Sequence, residues 1–147
     1  MAVSIYETVK AVYTALSGDG TLTAMLGTYA SATAIFSGPE IPADVRPGSA
    51  GLPYVHIMHD VGLADFSSKA FVGLTLRLNV AVIVDRTTSS KEVWDILSRI
   101  DELLHNTSLS ISGATHVMTR LAGSATVPAT GDLTGQVALY EITIQPS

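Results

Sequence analysis

The chain has no cysteine, so it carries no disulfide and no thiolate metal site. Charge is scarce as well: 14% of the 147 residues are Asp, Glu, Lys or Arg, against about 25% in an ordinary soluble domain. Long apolar runs are also missing. The longest, Val80 to Val84, falls far short of the roughly 20 residues that span a bilayer. The start, Met-Ala-Val-Ser-Ile-Tyr-Glu-Thr, lacks the basic and apolar stretches of a secretory signal. With no membrane role indicated, burial between subunits becomes the expected reason for the thin supply of charge. The 8 Lys and Arg residues are scattered from Lys10 to Arg120 and the net charge is -5. No basic cluster is present to neutralise nucleic-acid phosphates.

Catalytic patterns are missing too. There is no Gly-x-Ser-x-Gly elbow, and Gly18-x-Gly20 follows a helical pattern where a dinucleotide fingerprint would follow a strand. Asp101 and Glu102 fall on the polar side of a helix, where solvation explains them. His56 and His59, with Asp60 adjacent, are three apart on a strand pattern and point to opposite faces, so they do not converge on one ion; His105 and His116 lie further on. The expectation is a protein that is not an enzyme and holds no metal and no cofactor. Its length suits one domain, Met1 to Ser147.

What is present is a long strand pattern from Phe71 to Asp85. Val72, Leu74, Leu76, Leu78, Val80, Val82 and Val84 form one apolar face, while Thr75, Arg77, Asn79, Ala81, Ile83 and Asp85 form a mixed one. At about 3.3 Å per residue it would extend roughly 50 Å, far beyond the usual 5 or 6 residues. Either it outruns its own core and needs a cover from a neighbour, or a bend at Gly73 splits it.

The other elements follow in order. Ser4 and Glu7 form a capping box for a helix carrying Ile5, Val9, Val12 and Leu16. Asp19 or Thr21 then caps a short turn through Leu22, Met25 and Leu26. From Thr28 to Leu52, glycines and prolines punctuate a long loop with one short strand at Ile35-Phe36, expected to be a surface contact element. Leu52 to Val61 reads as a strand, and Gly62 to Ala70 as the connection to the long strand, making a hairpin arm. Asp65, Phe66, Ser67, Ser68 and Lys69 near its tip are the expected partner-binding residues, with Phe66 as the inserting aromatic. Ser89 and Glu92 cap a helix in which Val93, Ile96, Leu97, Ile100, Leu103 and Leu104 make the apolar stripe. Lys91, Glu92, Asp95, Arg99, Asp101 and Glu102 make its polar side, expected to face solvent. A strand from His116 to Leu121, a loop from Gly123 to Gly135 and a last strand from Gln136 to Ile144 close the chain. This order predicts an α+β fold, a mostly antiparallel sheet with two main helices packed on one face and a long β-hairpin arm.

With these elements placed, the chain resembles the tail terminator, or tail-to-head joining, proteins of long-tailed bacteriophages and gene transfer agents. The resemblance rests on the helix ending Ala-Leu-Ser-Gly-Asp-Gly-Thr-Leu-Thr-Ala-Met-Leu-Gly27, on Leu52-Pro-Tyr54-Val, on the long strand and the helix Glu92 to Leu104, and on the closing pair around Thr119-Arg120-Leu121 and Tyr140-Glu-Ile-Thr-Ile144. It implies a virion protein, assembled in the bacterial cytoplasm, that forms a homohexameric ring. The ring would cap the head-proximal end of the tail tube, stop its growth and bind a neck or head-completion protein. DNA would cross its lumen in transit. Two other readings remain: another ring-forming neck or tail-tube component, and a small-molecule-binding α+β domain with a pocket around His56, Asp60 and Arg77.

Overall fold

A computed structural model describes residues 2–38, 41, 53–67, 72–85, 90–105, 107–130 and 133–146. Helical spacing of apolar residues creates three helices. α1 (Ala2–Ser17) buries Val12 and Leu16, α2 (Gly20–Met25) buries Leu22, and α3 (Ser90–Leu104) buries Val93, Ile96, Leu97, Ile100 and Leu104. Strands with alternating apolar residues supply the surface they cover. β1 (Thr28–Tyr29) and β2 (Ala32–Thr33) pair only with each other. β3 (Ile35–Ser37), β4 (Tyr54–Ser67), β5 (Val72–Asp85), β6 (Ala114–Thr130) and β7 (Leu133–Pro146) make a five-stranded sheet in the order β3-β4-β5-β7-β6. Among the described residues, β3 and β4 run parallel and the other neighbours antiparallel. The α+β fold expected from the element order is what the chain adopts, with α1 and α3 sharing one face of the sheet.

The core lies between that face and the helices. β5 contributes Leu76, Leu78, Val80, Val82 and Val84, β7 contributes Ala138, Tyr140, Ile142 and Ile144, and β4 contributes Val55 and Ile57, all in one cluster with the helix stripes. The Tyr140 hydroxyl, carried into this apolar layer, donates to Asp101 Oδ1 at 3.0 Å. Burial and the neighbouring carboxylate push the Tyr140 phenol far above its ordinary value. Asp101 is thereby a core-facing acceptor and not simply part of a solvated side of α3.

A second, smaller cluster forms on the opposite face. Tyr54 and Ala34 are buried there with Phe36, Tyr29, Ile41 and Ile83 against them, and Phe36 sits edge-on to both Tyr29 and Tyr54 with ring centroids 5.6 Å apart in each case. Within the stretch expected to be loop, β1 and β2 are a tight hairpin whose turn residues Ala30 and Ser31 have φ of 50° and 69°. Positive φ at both central positions is the turn that matches strand twist. Residues 39–40 and 42–52 lie outside the described residues.

Several boundaries differ from expectation. α1 begins at Ala2, so Ser4 lies inside the helix rather than at its cap; Ala is the strongest helix former and extends it. Ser89 lies outside the described residues, although α3 starts beside it at Ser90. β5 is not split at Gly73, which pairs with Phe66, and the irregularity falls in β4 instead, between His59 and Leu63. Nor does β5 overhang its sheet, because β7 pairs with it from Leu74 to Asp85. The sheet as a whole outruns the helices. Strands of 14 residues span about 46 Å, whereas the 15 residues of α3 span about 22 Å.

Candidate assembly surfaces

Asp65, Phe66 and Ser67 do not sit on a loop. They are the last residues of β4, paired with Leu74, Gly73 and Val72 of β5. The bulge after His59 absorbs the extra residues and lets the ladder resume at Leu63, which is why apolar alternation stops at Val61 although the strand continues. Ser68 and Lys69 lie outside the described residues.

A larger departure concerns β6. The stretch expected to be a loop from Gly123 to Gly135 is strand on both sides, with β6 running to Thr130 and β7 starting at Leu133. β6 is an outer strand of the sheet, and residues 121–126 of it are all exposed. The set reads Leu-Ala-Gly-Ser-Ala-Thr, with no charge. Extra residues are accommodated between His116 and Met118, Leu121 and Gly123, and Val127 and Thr130. These bulges interrupt the outer edge and turn side chains toward new directions. Val117, Met118 and Leu121 are exposed on the same strand. Natural sheets usually guard such an edge with Lys, Glu or Pro. Among the described residues, His105 beyond α3 guards it, its Nδ1 accepting from the Leu121 amide at 3.1 Å.

The helix layer has a fixed side and a free side. Asp19 caps α2 by accepting from Leu22 N at 2.8 Å and receives Arg99 Nε and Nη2 at 2.9 and 2.6 Å, while Arg99 Nη1 reaches Glu102 at 2.7 Å. These bonds hold the Asp19 carboxyl down at about 2 and push the Arg99 guanidinium up. Arg99 is thus tied within the chain, where the polar side of α3 had been expected to be free; Glu102, Asp95 and Lys91 remain exposed. Trp94 stands off the apolar stripe of α3 and is 49% exposed. Its position outside the i, i+3, i+4 set was the signal in the sequence that it would not join the core.

Each histidine with a described side chain has its own local partner. His56 Nε2 is 2.8 Å from Gly38 O and His116 Nε2 is 2.6 Å from the Thr119 hydroxyl, and His105 holds the Leu121 amide. Burial pushes the His116 imidazole down. Thr119 is fully buried, and its hydroxyl pairs with His116 inside the chain. Among the described residues, no group of three His, Asp or Glu is placed to hold a metal ion. The suggested pocket around His56, Asp60 and Arg77 does not converge in the described residues: His56 pairs with Ala81, four positions along β5 from Arg77, or about 13 Å. Arg77 instead lies opposite Glu141, which Arg120 approaches from the other side at 3.6 Å. The Asp60 side chain lies outside the described residues.

No protein-family model matches the chain, and no curated protein matches it in sequence. In fold it is similar to a chain from the virion of a native gene transfer agent particle, with a TM-score of 0.71 and 19% identity over 93% of this chain and 93% of that one. A second solved chain is similar with a TM-score of 0.50 and 13% identity, covering 95% of this chain and 93% of that chain. At these identities the likeness is one of fold.

Proposed function

We propose that the chain is a structural protein of a phage or gene-transfer-agent virion, and that it forms a ring capping the head-proximal end of a tail tube. The ring ends tube growth and joins the tail to the neck or head. The observation that carries this reading is the uncharged outer stretch of β6, residues 121–126, exposed throughout on an edge that no further strand among the described residues joins. An outer strand edge is open to pairing with another chain, and assembly is a natural cover for it. The fold likeness to a gene transfer agent virion chain supports the setting. A homohexamer requires a heterologous contact, in which one patch meets a different patch on the neighbour and the rotation closes.

In this reading the end of β4 at Asp65, Phe66 and Ser67, with Ser68 and Lys69 beyond it, contacts the tail tube or the neck protein. DNA crosses the lumen without being held, and no enzymatic step is involved. The competing assembly reading is another ring-forming neck or tail-tube component, which the same β6 edge also suits. Electron microscopy of growing tail tubes separates the two. A terminator added during growth gives shorter tubes with one ring at a single end, and Phe66→Ser leaves a folded protein that no longer stops growth. Tubes that lengthen unchanged would exclude the terminator role, and incorporation of the protein along the tube would favour a tube component.

A further inference from the structure

We infer that the cleft between α1 and residues 108–112 is a docking site for an extended peptide segment of a partner protein. The cleft holds about 450 Å³, within the ~300–1,000 Å³ usual for ligand sites. Ala11 and Ala15 of α1 and Leu109 and Ile111 of the connecting segment give it apolar lining, Thr14 and Ser110 bring hydroxyls to it, and Glu7 and Lys10 add one charge of each sign on the α1 side.

The segment behaves as a strand that lacks a neighbour. Exposure alternates along it, with Ser108, Ser110 and Ser112 outward and Leu109 and Ile111 packed into the main core, as in an extended chain with one face on a core. No strand of either sheet pairs with it. Among the described residues its only main-chain bond runs from the Ala114 amide to Ile111 O at 3.4 Å, and the amides of residues 108–112 meet no main-chain acceptor there. Leu109 and Ile111 are each only 7% exposed, so the segment is held on the core while its serines face outward. All five residues, 108–112, line the open cleft.

This chemistry selects the occupant. An extended peptide supplies a row of carbonyls and amides at strand spacing and sets alternate apolar side chains on the lining, which is recognition by strand addition. A helix has already bonded its own amides internally, and a small molecule reaches only one or two groups in the row. The occupant is therefore a segment of alternating apolar and small polar residues, about as long as the segment it pairs with. This inference stands whether or not the protein forms a ring.

The test uses the full chain and a fluorescein-labelled Thr-Val-Thr-Val-Thr-Val-Thr peptide, beside a control peptide N-methylated at alternate amides. Fluorescence polarisation should show saturable binding, and hydrogen exchange should slow at residues 108–112. Thr14→Trp fills the cleft from an exposed position of α1; it should weaken binding about tenfold or more, equivalent to about 1.4 kcal/mol, without changing the melting temperature. Ser110→Pro, which deletes one donor of the row, and the N-methylated control should show the same loss. Absence of binding would overturn the proposal. So would binding that neither protects residues 108–112 nor responds to Thr14→Trp. Self-association abolished by Thr14→Trp, with no peptide bound, would overturn it in favour of a second copy of this chain as the occupant.

Discussion

Strands β5 and β6 are similar in length, at 14 and 17 residues, and differ in almost everything else. β5 is paired on both sides and buries Leu76, Leu78, Val80, Val82 and Val84 against α3 and its neighbours. β6 has one paired side, three register shifts, and residues 121–126 exposed. Length alone therefore does not tell which strand needs a cover from another molecule; position in the sheet does. The strand that looks too long in the sequence is the one this chain covers itself, and the one that looks like a loop is left open.

The comparison is broken most severely at the centre of β5. Leu78→Asp buries a carboxylate among apolar groups and should abolish folding, because the cost of several kcal/mol rivals a whole domain's stability of about 5–15 kcal/mol. Leu78→Ala should cost about 2–5 kcal/mol in urea denaturation. Next comes the β5–β7 junction. Gly135 lies against the Val82 carbonyl so closely that a Cβ there would run into the backbone, and Gly135→Ala should destabilise by about 1–3 kcal/mol or prevent folding. A substitution there that left stability unchanged would mean that the two strands are not in this register.

Smaller effects test how the helix layer is held on β5 and β7. Tyr140→Phe removes the donor to Asp101 and should cost about 1–2 kcal/mol. Asp19 is held at about 2 in the folded chain, below its ordinary 3.8. Its contribution is therefore complete above the ordinary value and is lost as pH falls through the folded one. Melting temperature followed from neutral pH into acid should show this loss in the parent chain, and Asp19→Asn should lower the neutral-pH plateau while flattening the slope between pH 3.8 and about 2.

Much of the fold was legible because regular periodicity coincided with burial. The stripe Val93, Ile96, Leu97, Ile100 and Leu104 and the β5 residues Leu76, Leu78, Val80, Val82 and Val84 are buried as read, and Asp19 is the N-cap of α2. What escaped was structure in which periodicity is broken. The bulge after His59 hid the second half of β4. Three shifts along β6, with the small residues of 121–126 and Pro128, removed the alternation by which a strand is recognised; an outer strand tolerates both. The β1–β2 turn was hidden because Ala30 and Ser31 adopt positive φ without the Asn-Gly pair that usually announces it. The Arg99–Asp19 contact joins residues 80 positions apart, beyond the reach of local pattern. For the candidate site the outcome is similar. Phe66 and its neighbours were singled out from one aromatic in a polar stretch of sequence, while the uncharged edge at Leu121 to Thr126 had no motif to mark it.

The most direct test of the central claim is the solution mass of the parent chain and of Ala125→Lys, by light scattering coupled to size exclusion over a range of concentrations. Ala125 is exposed on β6, so the lysine should change stability by no more than about 0.5 kcal/mol while placing a charge on the edge that the proposed assembly would cover. The account predicts a hexamer, or a monomer that becomes one when tail tubes are added, for the parent chain and a folded monomer under both conditions for Ala125→Lys. A parent chain that stays monomeric with tubes present, or a lysine variant that assembles equally well, would contradict it.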